Sequence, residues 1–412
     1  MKRTLLFLMM ATSAGDFGGY PMDPRFFEFM GGIRFTHYLP DFAKAMVKIE
    51  DPSRPLARGL PPSFVIDREG LFESPDFVQL FRNAIFWAAA QTPLRTQAAT
   101  SHYVFFGRDR DRLPGHAFLD NRTFEGAQVM YSWKQLEPVE DQYEFAEIDA
   151  DIAILKARHK KLWIQLQDAT FSPDRQAVPR YIMTGPQYGG GAHPQYDDDG
   201  KVEGWVARRW DPAVQARLHK LFGKLAERYD GVIAGINLQE SSIGISEEGV
   251  AKAPGFTYVG YRDAIKRNMH ALRDAFKTSV VMQYVNFMPG EALPELDRGL
   301  IRSLYDYGEE IGVAVGAPDL LPLRPFQQAH AYRFMREKKD AGRLTVGIAV
   351  QDGNYRGTTG VAQGGETRQA WPDLVPELAA YAHDDLGARY VFWSIEEPYF
   401  SKNVMPFFSK RP

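Results

Sequence analysis

The run Gly235-Ile-Asn-Leu-Gln-Glu240 is an apolar strand that ends on a carboxylate and passes at once into the polar loop Ser241-Ser-Ile-Gly244. In a parallel α/β barrel, a glutamate at the C-terminal end of a strand points into the mouth where substrates bind. Other strand ends along the chain carry polar groups of the same kind. They are Asp109, Trp133 with Glu137, Gln167 with Asp168, Gln239, Asn286, Asp319, Gln351 with Asp352, and Trp393 with Glu396 and Glu397. A ring of carboxylates, amides and tryptophans, with no cysteine and no His-x-x-x-His pair, suits cleavage of a glycosidic bond. That reaction uses two carboxyl groups roughly 5–10 Å apart, one of them protonated to donate to the leaving oxygen. It requires no cofactor, and no metal ligand set is expected. Among these residues Glu137 reads first as a loop residue bonding backbone, and Asp319 either as a turn former or as a substrate contact.

Positioning such a ring takes repeated βα units, and from His102 onward the chain alternates short apolar runs with longer amphipathic ones. Eight strands are expected at 102–107, 127–133, 161–167, 231–239, 279–286, 311–316, 344–351 and 388–393. Helices are expected at 147–159, 213–228, 261–276, 325–338 and 371–386. Asp211-Pro212 supplies a cap and a first-turn proline for the second of them. No Gly-x-Gly-x-x-Gly run follows the first strand, so a doubly wound open sheet gives way to a (β/α)₈ barrel. The long segment 168–210, with Gly189-Gly-Gly191 and Asp197-Asp-Asp199, reads as a solvated loop flanking the cleft. Its aspartates lack the glycine and distal glutamate of a calcium loop.

A chain of 412 residues, 44% hydrophobic and 13% aromatic, has material for one large domain or two ordinary ones. The net charge of −3 gives no electrostatic reason to expect nucleic acid as a partner. Without cysteine there is no disulfide, thiolate metal site or cysteine nucleophile. Residues 1–15 read as the basic and apolar regions of an export signal, yet a fitting cleavage region comes only at Ala88-Ala-Ala-Gln91. Residues 16–87 are therefore either an interruption of a signal peptide or a separate N-terminal extension with an amphipathic helix at 75–87. A linker at 88–101 then leads into the barrel at 102–412. Export to the periplasm or the medium is the expected localisation if the signal functions. No stretch reaches the roughly 18 apolar residues of a transmembrane span.

Trp133-Lys-Gln-Leu-Glu137-Pro138, followed by Asp141-Gln-Tyr-Glu-Phe-Ala-Glu-Ile-Asp149, is similar to the second-strand signature of the clan A glycoside hydrolases, the cellulase-like and β-galactosidase-like barrels. The resemblance covers about residues 102–400. It implies that Glu240, ending the fourth strand, is the general acid/base and that Trp393 forms the floor of a sugar subsite. It also implies a carbohydrate substrate, with Trp133, Gln167, Gln239, Asn286, Asp319, Gln351 and Glu396 shaping the site. Two positions depart from the clan. Gln239 stands where an asparagine precedes the acid/base, and Gln351 stands where a glutamate nucleophile ends the seventh strand. Three readings of the second carboxylate stay open: Asp352, Glu397, or none, the last being a non-catalytic carbohydrate-binding barrel. A separation of about 5–5.5 Å from Glu240 corresponds to retention and about 6.5–9.5 Å to inversion.

Overall fold

The computed structural model describes residues 100–409 apart from 198, 246–248, 251 and 356–373. Before residue 100 it describes 33–35, 45–49, 59–66, 75, 78 and 80. The chain divides into two compact units, Met1–Gln97 and Ala98–Pro412. In the first, Ile33–Phe35, Ala45–Ile49 and Ser63–Ile66 form an antiparallel three-stranded sheet. Of the helix expected at 75–87, Pro75, Val78 and Leu80 are described, and all three are helical. The signal-like residues 1–15 lie outside the described residues. No helix among the described residues is long and apolar enough to cross a membrane.

The second unit is a (β/α)₈ barrel. Its strands are β1 (Ser101–Phe105), β2 (Phe124–Ser132), β3 (Lys161–Gln167), β4 (Gly235–Leu238), β5 (Val280–Tyr284), β6 (Ala314–Ala317), β7 (Val346–Val350) and β8 (Ala388–Ser394). All pair in parallel and in chain order, and β8 closes on β1 through Tyr390 to Ser394. The principal helices are α1 (Ala146–Lys156), α2 (Pro212–Tyr229), α3 (Tyr258–Ala275), α4 (Leu300–Ile311), α5 (Ala331–Ala341) and α6 (Leu374–Ala380). Asp211 caps α2 as its sequence implies, its carboxylate accepting from the N–H groups of Ala213 and Val214.

Alternation along each strand divides the core into two layers. Tyr103, Phe105, Trp163, Met282, Tyr284, Ala349 and Phe392 fill the barrel. Their strand neighbours Val104, Ile164, Val281, Val285, Val350, Val391 and Trp393 pack outward into the larger cluster. Gly347 on β7 makes room for Met282: a Cβ there would lie 2.8 Å from the Met282 sulfur.

Three expectations change. Ile311 ends α4 rather than opening a strand, because Gly312 turns the chain at φ 70° and β6 starts only at Ala314. The strand expected at 231–239 shortens to Gly235–Leu238. The segment expected as a solvated loop carries an antiparallel sheet of Ala169–Thr170, Val202–Ala207 and Ala192–Tyr196, in that order. Asp197 serves its hairpin turn, accepting from the N–H groups of Asp199 and Lys201.

Candidate active site

Glu240 lies two residues beyond β4, and its main chain is held by a buried ionic network. Arg209, at the exit of the inserted sheet, donates from Nη1 to the Glu240 carbonyl at 2.7 Å and to the Tyr261 hydroxyl at 2.9 Å. Its Nε and Nη2 grip both oxygens of Asp168 at 2.7 and 2.6 Å. Tyr261, on α3, donates in turn to the Ser241 carbonyl at 3.0 Å. Both charges of the Asp168–Arg209 pair are buried, so each depends on the other for compensation.

The side chain is aimed by Asn286, two residues beyond β5. Asn286 donates from Nδ2 to Glu240 Oε2 at 2.5 Å, and its Oδ1 accepts from the Ser242 N–H at 3.3 Å. Burial pushes the Glu240 carboxyl up to about 8, and the charge of Asp319 adds to the rise. The Asn286 hydrogen bond and Arg209 pull the other way, while Glu203, on the inserted sheet, pushes up again. A carboxyl in that range keeps its proton at neutral pH.

Asp319 lies two residues beyond β6 and is the negative charge that weighs most on Glu240. Burial raises its pKa as well, held back by a hydrogen bond from Asn354 and by Arg324. Both carboxyls are thus raised by burial, and their mutual repulsion disfavours both being ionised at once. With β5 between them, β4 and β6 stand about two strand spacings, or ~10 Å, apart at the backbone. Beneath both carboxyls lies Tyr284, whose phenol is raised by burial and further by Asp319 and Glu240. Tyr284 belongs to a polar floor in which Gln128 donates to its hydroxyl at 3.1 Å and to Asn237 at 2.9 Å.

Asn354 joins the ends of β6 and β7. Its Nδ2 donates to Asp319 Oδ1 at 2.9 Å, and its Oδ1 accepts from the N–H groups of Leu320 and Gln351, each at 3.0 Å. Tyr332, on α5, donates to the Asp319 carbonyl and accepts from Leu321, both at 2.7 Å.

The remaining candidates are placed differently from expectation. Asp352 is exposed and accepts from the Ser394 hydroxyl. Glu397 is exposed and accepts from the Ser401 hydroxyl at 2.6 Å, and Glu396 accepts from the Gly353 N–H at 2.7 Å. These three bear on the buried phenol of Tyr355, forming a group at the ends of β7 and β8. Gln351 is half-buried, its N–H bound to Asn354. The carbonyl oxygen of Gln239 is occupied by the N–H groups of Asp168 and Ala169, at 3.1 and 2.7 Å, so it pins the end of β3. Gln167 is buried; its Oε1 accepts from Arg108 Nε at 3.1 Å and its Nε2 has no acceptor.

Trp393, expected as the floor of a sugar subsite, and Trp133, expected to help shape it, are both buried. Trp393 is fully buried and donates to His102 Nδ1 at 3.2 Å, because Phe392 takes the inward position on β8 and alternation turns Trp393 toward the outer layer. Trp133 is equally buried and donates to Glu137 at 2.9 Å. Glu137 also receives Arg217 of α2 and the Asp141 N–H. Asp141, at φ 63°, pairs with Lys220 at 2.6 Å and Arg217 at 3.0 Å; its hydrogen bonds with these two bring its carboxyl down to about 2. Trp133, Glu137 and Asp141 of the second-strand motif therefore tie β2 to α2.

Sequence reasoning passed over Arg209, Tyr261, Asn354 and Glu203. The only local signal was Arg208-Arg209 at the end of an apolar run, where charges are unexpected without partners.

No protein-family model and no curated protein matches this sequence. Among solved structures it is similar to xylanase 10B of Thermotoga petrophila, with a TM-score of 0.43 and 11% identity over 75% of this chain and 88% of that one. It is also similar to a β-galactosidase of the psychrophilic Marinomonas ef1, with a TM-score of 0.46 and 12% identity. There the match covers 71% of this chain and about half, 54%, of the other. Endo-glycoceramidase II of Rhodococcus is a third, with a TM-score of 0.42 and 11% identity over 72% of this chain and 73% of that one.

Proposed function

We propose that this protein is a glycoside hydrolase in which Glu240 is the general acid and Asp319 the second carboxylate. The observation that carries the reading is Glu240 at the end of β4, its carboxyl raised to about 8 by burial with the charge of Asp319 adding to the rise. Two carboxyl groups that repel each other's charge, one of them holding its proton at neutral pH, suit the acid and the ionised partner of glycosidic cleavage. The Glu240 O–H donates its proton to the glycosidic oxygen as the bond from that oxygen to the anomeric carbon breaks. Ionised Asp319 faces the electron-poor anomeric carbon and either bonds to it or takes a proton from the attacking water. In the first case Glu240, now ionised, removes the proton from the water that releases the sugar. Asn286 aims the acid, and the Arg209 network fixes the backbone that carries it.

The expected result for Glu240→Gln is a fall in kcat of at least a thousandfold on aryl glycosides, with sugar binding retained. Unchanged turnover in that variant refutes the assignment. Binding without turnover by the wild-type chain across gluco-, galacto-, manno- and xylo-configured substrates establishes the binding barrel instead. The anomer of the first product, followed by NMR, separates nucleophilic attack by Asp319 from activation of water.

A further inference from the structure

A cavity of about 530 Å³ lies at the ends of β1, β2 and β3, one strand over from the strand that carries Glu240. Its lining has four basic side chains, Arg108, Arg110, Lys134 and Arg175, against two acidic ones, Glu147 and Asp174, in a protein whose net charge is −3. Arg110 is neutralised by Asp151 and Glu147. Among the described residues, Arg108, Lys134 and Arg175 enter no ion pair.

Arg108 is aimed by its bond to Gln167. Partial desolvation and the nearby charge of Arg175 disfavour its cationic form, with Asp109 offsetting part of that. Two guanidinium groups that repel each other beside a cavity have that repulsion offset when an anion enters. Gln167 adds a second sign of an absent ligand: it lines the cavity, is 3% exposed, and leaves its amide Nε2 without an acceptor. A buried donor left unsatisfied costs ~1–3 kcal/mol and marks a place where a partner atom fits.

We infer that this cavity is a subsite for an anionic substituent on the sugar chain, a carboxylate or a sulfate half-ester, held by Arg108, Arg175, Lys134 and the Gln167 amide. The inference rests on the glycosidase reading for its sugar and makes the substrate an acidic oligosaccharide. The overall negative charge argues against a polyanion laid along the whole surface; the positive character is local to this cavity.

The test uses the full chain carrying Glu240→Gln, titrated calorimetrically with gluco- and galacto-configured trisaccharides in neutral, uronic acid and sulfated forms. At 50 mM salt at least one anionic form should bind tenfold or more tightly than its neutral counterpart, with the gap narrowing at 300 mM. Whether the uronic or the sulfated form gains identifies the substituent. Adding Arg108→Gln with Arg175→Gln should abolish that preference and leave neutral affinity unchanged. Lys134→Gln gives a milder loss, with thermal melts confirming that each variant folds. Equal affinity for charged and neutral forms, an equal loss for both in the variants, or no binding by any of the panel overturns the inference. Wild-type turnover of neutral oligosaccharides without an anionic preference refutes this subsite alone. Anion-selective binding without turnover of any form by the wild-type chain refutes the hydrolase and leaves the subsite standing.

Discussion

Replacing Glu240 with glutamine should change how stability depends on pH, independently of any substrate. The folded protein holds the Glu240 proton up to about 8, against an ordinary value of 4.5, so between those two pH values the folded state binds more protons than the unfolded one. Stability from this group is therefore complete below about 4.5 and is lost as pH rises toward 8. The window spans about three and a half pH units; at ~1.4 kcal/mol each its ceiling is ~5 kcal/mol. Glu240 keeps partial contact with solvent, which screens its interactions, and roughly 2 kcal/mol is a reasonable expectation. Glutamine preserves the shape and an oxygen to accept from Asn286 but carries no titrating proton. Urea unfolding of both proteins at pH 5, 6, 7, 8 and 9 gives the comparison. The wild type should lose about 2 kcal/mol more than Glu240→Gln between pH 5 and pH 9. Parallel curves would refute the argument that burial and Asp319 hold the proton on Glu240.

Asp319→Asn removes the charge that helps to raise Glu240, so the alkaline limb of residual activity should move to lower pH while kcat falls; a limb that stays in place in a pH–rate profile contradicts the coupling. Asn354→Ala deprives the N–H groups of Leu320 and Gln351 of their shared acceptor, an expected loss of roughly 2–3 kcal/mol read by urea unfolding. Arg209→Ala leaves Asp168 buried and unpaired and frees the Glu240 carbonyl, so unfolding should show a loss of about 3–5 kcal/mol, and Arg209→Lys should recover only part because it cannot grip both carboxylate oxygens.

The sequence by itself determined the barrel and the position of Glu240 at its mouth. Alternating apolar and amphipathic runs express local backbone periodicity, which is why β1, β3, β5 and β8 begin and end within a residue or two of their expected limits. Boundaries slipped where a single glycine redirected the chain, as at Gly312, or where a gapped loop built its own sheet, as between Ala169 and Ala207. Only the tertiary structure shows which carboxylate charge weighs most on Glu240. Asp352 and Glu397 stand closer to the motif positions and hydrogen-bond Ser394 and Ser401, while Asp319, from the short Gly316-Ala-Pro-Asp319 segment, bears on Glu240 across β5. Charge coupling depends on distance and burial, and neither is written in the order of residues along the chain. The tryptophans show the same divide. The resemblance implied a sugar floor at Trp393, but the outward sense of its strand position put it in the core, and Trp133 is buried with it.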